Sequence, residues 1–209
     1  MSDMWILEEG AHRLGLELTP TQVEQFRCYY QELLDWNRKV NLTSITQWNH
    51  VQRVHFLDSL TVGVGMSEEV REGGCLVDVG SGAGFPGLPM KIAFPGLNVT
   101  LVESVGKKAR FLEHMVGVLD LHQVSVCTGR AEMLAHEQDY RGVYDMAVAR
   151  AISPLPAVLE MTLPFCRDGG VVVIQKKGDI AGEVQRSARA LQLLGGHLRG
   201  VYPVSVLGL

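Results

Sequence analysis

Apolar positions in residues 1–70 recur at helical spacing. Met4, Leu7, Ala11 and Leu14 mark one face of a first helix, with Ser2 as its candidate cap. Thr19-Pro20-Thr21-Gln22 is a helix start: a Thr cap, Pro at the first helical position and Gln three residues after the cap. Val23, Phe26, Tyr30, Leu33 and Leu34 then define the inner face of a long helix ending near Lys39. A third helix is expected from Gln47 to about Val62, with Val51, Val54 and Leu57 inward. Beyond residue 70 the period changes. Short Val-rich runs at Cys75–Val79, Val99–Glu103, Gln123–Cys127, Tyr144–Ala149, Gly170–Gln175 and Leu198–Val206 read as buried parallel strands. Helical stretches separate them at Leu88–Phe94, Val105–Leu119, Pro156–Leu163 and Asp179–Leu194. Strand–helix alternation predicts an α/β fold with a doubly wound, mostly parallel sheet, because right-handed crossovers put helices on both faces. The division expected is a helical cap over residues 1–70 and a ligand-binding domain over residues 71–209.

Charge changes at the same boundary. Residues 1–72 carry 6 basic and 11 acidic side chains, a net of −5, and residues 73–209 a net of +1. The total of −4 argues against a generic nucleic-acid coat but leaves room for a local basic face. The longest stretch free of Asp, Glu, Lys and Arg is Val40–Gln52, which is short of the ~20 apolar residues of a membrane span. The N-terminus lacks the basic-then-apolar order of a signal peptide, so a cytoplasmic protein is expected. Cys28, Cys75, Cys127 and Cys166 form no C-x-x-C pair, and the histidines never pair at H-x-x-H. Reduced, mostly buried thiols and no metal site are therefore expected.

The segment Leu76-Val77-Asp78-Val79-Gly80-Ser81-Gly82-Ala83-Gly84-Phe85-Pro86-Gly87 carries the most information. A buried strand runs into glycines that let the backbone turn sharply and approach a ligand, then into a helix. Gly82, Gly84 and Gly87 fit the dinucleotide pattern G-x-G-x-x-G. The tight turn begins at Gly80, however, and the better register is Asp78, Gly80, Gly82, Gly84. A carboxylate at the strand end repels a pyrophosphate and suits a cationic ligand such as S-adenosylmethionine. Glu103 ends the second strand, where an acid accepts from ribose hydroxyls, and NAD would use it equally well. Arg130-Ala131-Glu132 follows the third strand and either meets an adenine edge or begins a helix, with Glu132 favoured in its first turn. Arg150 ends the fourth strand, facing a cofactor carboxylate or substrate phosphate, or else paired with Asp78 or Glu132.

Other clusters mix basic and aromatic character: Trp36, Arg38, Lys39, Trp48, His50, Arg53 and His55 in the cap, Lys107, Lys108 and Arg110 at a helix start, and Arg186 and Arg189 on the late helix. These suit an RNA loop, although Trp36 and Trp48 fit core packing as well. His55 and Asp58 are expected to order the cap against the core. No Asn-Pro-Pro-Tyr, Pro-Cys or Tyr-x-x-x-Lys motif occurs.

Over residues 20–180 the chain resembles bacterial small-subunit ribosomal RNA methyltransferase G, the glucose-inhibited division protein B family. The carriers are Trp36-Asn37, Asn41-Leu42-Thr43, His55-Phe56-Leu57-Asp58-Ser59-Leu60, the Asp78–Gly87 loop, Glu103-Ser104, Lys107-Lys108, Arg130-Ala131-Glu132, Arg150-Ala151 and Lys176-Lys177-Gly178. The resemblance implies a class I S-adenosylmethionine-dependent methyltransferase fold. It implies methyl transfer to guanine N7 in the decoding-region (530) loop of 16S rRNA. By the same analogy Gly80, Phe85, Ala131, Glu132 and Arg150 line the cofactor site and Glu103 holds its ribose. Lys177, with Arg130, lies near the RNA or the transferred methyl. The small ribosomal subunit or its RNA is the implied partner, with a monomer expected. The family's chain usually continues into a closing strand, so the last strand is expected to be missing or shortened. The alternatives are a small NAD(P)-dependent oxidoreductase and a non-catalytic nucleotide-binding or cell-division factor.

Overall fold

The computed structural model describes residues 3–150 and 154–205. Five parallel strands form one sheet in the order β3-β2-β1-β4-β5: β1 Cys75–Val79, β2 Asn98–Glu103, β3 Val124–Thr128, β4 Tyr144–Arg150 and β5 Cys166–Gln175. The order reverses between β1 and β4, so a crevice opens beyond the carboxyl ends of those two strands. Leu198–Val206 does not form the expected sixth strand over its described residues 198–205. Pro203 lacks a ladder donor, and Leu198, Val201, Tyr202 and Val204 stay exposed. Val206 and Ser2, the candidate first-helix cap, lie outside the described residues.

Before the sheet come α1 Trp5–Arg13, α2 Pro20–Asn37, α3 Trp48–Val51, a π-helical turn Gln52–Leu57, α4 Asp58–Leu60, a 3-10 turn Thr61–Gly65 and α5 Glu68–Gly73. The expected third helix is thus present with a π turn in its middle. That widening changes the inward face: His55 and Phe56 are buried, and Val54 is only half-buried. On α2, Tyr29 rather than Tyr30 goes fully inside, alongside Val23, Phe26 and Leu33. Helices α6 Gly87–Ala93 and α7 Gly106–Val118 cover one sheet face, with α8 Ala131–Leu134, α9 Leu155–Thr162 and α10 Ala181–Leu193 following the later strands.

The helices before β1 share one continuous core with the sheet. Phe26, Tyr29, Leu33, Phe56, Leu57 and Leu60 pack in the same cluster as Leu76, Phe85, Leu88 and Leu101. Polar anchors fix the seam. Gln22 completes the Thr19 capping box and also donates from Nε2 to the carbonyls of Ile92 and Ala93, at 2.7 and 3.2 Å. Gln25 donates to Leu119 O at 2.8 Å. One face of α2 thereby satisfies orphan carbonyls at the carboxyl ends of α6 and α7. Glu32 meets His114 of α7 at 2.6 Å, and Trp36 packs on Phe111. The four thiols are free and only partly buried, less deeply than expected.

Candidate cofactor and substrate site

The loop after β1 is built by three left-handed glycines, Gly80 (φ +74°), Gly82 (φ +58°) and Gly84 (φ +91°). Side chains disfavour this region, which explains the residue choice. The amides of Gly80 and Ser81 donate to Val102 O at 2.9 and 3.0 Å, keeping the loop against β2. A Cβ at Gly84 would lie 2.5 Å from Leu88 Cδ1 and from the Tyr29 hydroxyl. A Cβ at Gly82 would find nothing nearer than Gly80 O at 3.8 Å. Open space therefore lies above Gly82, at the centre of the loop.

Glu103 borders that space. Its Oε2 accepts from Gly82 N at 2.8 Å and its Oε1 from Val105 N at 2.7 Å. Each carboxylate oxygen keeps a further lone pair for a ligand hydroxyl. Asp78 sits differently from the expected strand-end carboxylate. It is fully buried beneath the loop, where Oδ2 accepts from Gly87 N at 2.9 Å. Its Oδ1 is buried with no hydrogen-bond partner among the described residues. Burial pushes its pKa up to about 7, against the lowering effect of the Gly87 amide and the Arg150 charge. An open glycine loop with the Glu103 carboxylate at its side fits a ligand carrying a ribose.

Arg150 is held by the cap, and neither Asp78 nor Glu132 is its ion-pair partner. Its Nη1 donates to Asp58 Oδ2 and to Val54 O, both at 3.2 Å, and its Nη2 lies 3.4 Å from His55 Nδ1. The guanidinium carbon stands 4.9 Å from the centroid of the Phe85 ring. His55 stacks on the same ring at 4.5 Å and 16°, and Tyr29 at 5.3 Å and 13°. His55 Nδ1 also lies 3.1 Å from the Val54 carbonyl oxygen, and Nε2 faces the opposite side of the ring. That Nε2 meets Thr43 Oγ1 at 2.8 Å. Burial, then the Arg150 charge, lower the His55 pKa to about 4, leaving a neutral ring at pH 7.

The cap motifs supply the buttress. Asn37 Oδ1 accepts from the amides of Leu42 and Thr43 at 2.8 and 3.0 Å, and its Nδ2 donates to Thr43 O at 2.9 Å. Thr43 is thereby set against His55. On the other side Gln175, the β5 residue registered with Arg150, donates to Asp58 O at 2.5 Å. Tyr29 and Gln175 were not singled out from sequence. Adjacent Tyr29 and Tyr30 are indistinguishable by period, and Gln175 acts through a residue 117 positions away.

The remaining expected residues spread along the rim. Ala131 is buried in the second core cluster beside Val79 and Val102. Glu132 lies in the first turn of α8 and makes a long 3.4 Å pair with Arg130, both exposed. Lys177 is exposed, and its charge, like that of His50, lowers the His55 pKa. Lys176 instead pairs with Glu183 at 2.8 Å. Trp36 and Trp48 serve packing: Trp48 lies against Tyr30 at 4.3 Å with the rings tilted by 47° and donates to Asp3 O. Two concavities of about 330 and 450 Å³ lie at the amino-terminal ends of the strands, away from the glycine loop. Among the described residues no group of three metal-ligating side chains is gathered, and no helix is long and apolar enough to cross a membrane.

Comparison with known proteins agrees with this geometry. The family model described as rRNA small subunit methyltransferase G matches residues 22–203. Ribosomal RNA small subunit methyltransferase G of Roseiflexus castenholzii is 48% identical over 194 residues, covering 93% of this chain and 82% of its own. The protein of that name from Dehalococcoides mccartyi is 44% identical over 201 residues, covering 96% and 84%. Among solved structures, a SAM-dependent O-methyltransferase of Thermotoga maritima superposes with a TM-score of 0.55 at 18% identity, over 79% of this chain and 55% of its own. M. jannaschii TYW2 in complex with AdoMet gives 0.50 at 17% identity, over 65% and 67%. At those identities the structures establish a shared fold, while the sequence relatives establish descent: the chain belongs to the rRNA small subunit methyltransferase G family.

Proposed function

We propose that this protein transfers a methyl group from S-adenosylmethionine to guanine N7 in the decoding-region (530) loop of 16S rRNA, in the cytoplasm and as a monomer. The observation that carries the reading is the open left-handed loop with Glu103 at its side, on a chain of this family. S-adenosylmethionine is the family's cofactor, and small-subunit rRNA its substrate. When bound, it supplies an electrophilic methyl on a sulfonium.

The residues present fit that cofactor. Gly80, Gly82 and Gly84 bring backbone close to it, and Glu103 accepts from its ribose. Asp78, enclosed beneath the loop, shapes it from below through the Gly87 amide. Ala131 and Glu132, after β3, border the adenine edge. Phe85 and Arg150 form the wall on the cap side. Lys177 and Arg130, both exposed, flank the rim and suit RNA phosphates.

Guanine N7 has an in-plane lone pair and no proton to lose, so the reaction needs placement rather than a general base. The candidate bases at the site are otherwise engaged. His55 has both ring nitrogens in contact with Thr43 and Arg150, and Asp78 is enclosed beneath the loop. The test is incubation with labelled cofactor and small subunits lacking the modification, followed by nuclease digestion and mass spectrometry. N7-methylguanosine within the 530 loop is expected. Label in another base, or none in RNA, overturns the reading.

A further inference from the structure

We propose that His55 and Asp58 are positioning residues for methyl transfer, acting through Phe85 and Arg150 from the cap side of the cofactor loop. This rests on the reading above for the identity of the reaction, and it assigns to the cap a part in the chemical step.

The cap reaches Phe85 and Arg150 with every group it places there. Asp58 takes one guanidinium nitrogen, and Val54 O accepts from the same nitrogen. His55 sets Nδ1 3.4 Å from the other nitrogen and stacks on the Phe85 ring over which the guanidinium stands. Both elements that are clasped begin in the core. Phe85 is part of the glycine loop itself, and Arg150 ends the strand at the switch point of the sheet.

Each member of the clasp is itself held. Thr43 fixes the ring of His55, and Asn37 fixes Thr43. Gln175 holds the backbone carbonyl of Asp58. Arg150 and Asp58 are only about a sixth and a quarter exposed, so their pair is screened less than a surface ion pair. A neutral histidine suits this place, since a second positive charge beside Arg150 would repel it. This is the form expected of a support that holds functional groups to within a fraction of an ångström. A transfer that depends on a linear arrangement of donor, methyl and acceptor is sensitive to such placement. Neither His55 nor Asp58 needs to touch the reacting atoms to matter.

The test compares wild type with His55→Ala, Asp58→Ala and Asp58→Asn in kcat, KM for each substrate, cofactor Kd by calorimetry and Tm. In the alanine variants kcat is expected to fall at least tenfold, and cofactor Kd to weaken by a clearly smaller factor. Asp58→Asn keeps an acceptor for Nη1 and is expected to recover kcat to within a few-fold of wild type. Unchanged kcat in both alanine variants overturns the proposal. So does parallel loss of kcat and cofactor binding in all three variants with lowered Tm, which marks a merely structural role. If wild type methylates a base other than the 530-loop guanine and the kcat loss persists, the clasp stands and the reaction assignment fails.

Discussion

The Tyr29 hydroxyl donates a 2.5 Å hydrogen bond to the carbonyl of Ala83, at the crest of the glycine loop. A helix that precedes the sheet by some forty residues thus holds the loop from behind, with the ring stacked on Phe85. The phenol is fully buried, and burial raises its pKa well above the ordinary tyrosine value, so it remains a donor throughout the physiological range. Tyr29→Phe keeps the packing and orphans the carbonyl. Leaving one buried acceptor unpaired costs about 1–3 kcal/mol. Chemical denaturation should show that loss, and calorimetry should show weaker cofactor binding as the loop gains freedom.

Gly82 and Gly84 should respond differently to alanine. At Gly84 the new methyl collides with Leu88 and the Tyr29 hydroxyl, in addition to the strain of a positive φ. Gly84→Ala should lower Tm sharply. At Gly82 the methyl meets only open space, so the folding cost is the ~1–2 kcal/mol of a left-handed non-glycine residue. Gly82→Ala should therefore keep most of the stability and lose cofactor affinity by more than tenfold, because the methyl occupies space the ligand needs. Equal losses of Tm in the two variants would contradict this division.

Asp78 gives a pH dependence with a definite sign. Its folded pKa, about 7, lies above the ordinary carboxyl value of 3.8. Between those values the unfolded chain releases a proton that the folded protein keeps, so this group's contribution to stability falls as pH rises and levels off above 7. The span corresponds to about 4 kcal/mol as an upper bound. Asp78→Asn retains an oxygen for the Gly87 amide and cannot ionise. Its stability relative to wild type should improve from pH 4 to pH 8 in paired denaturation curves. A difference independent of pH would show that the carboxyl ionises freely in the folded state.

Much of this architecture is legible in the residues because it is set locally. The capping box at Thr19 and Gln22 forms within one turn, and glycines at 80, 82 and 84 answer a backbone requirement that no other residue meets cheaply. Val-rich runs alternating with amphipathic stretches can bury their faces only as a covered parallel sheet. Other features were decided by tertiary structure. The π turn winds wider than the α-helical period read from the sequence, and it turned His55 inward while leaving Val54 half-buried. The tail at residues 198–205 is as apolar as a strand but has no paired neighbour, and strand propensity without a ladder does not make a strand. Arg150 is the sharpest case. Its place at a strand end follows from the sequence, while its partner Asp58 lies 92 residues away on another element. Side-chain pairing across such a distance depends on which faces the core brings together, and only the folded chain, with cap and sheet sharing one apolar cluster, sets that choice.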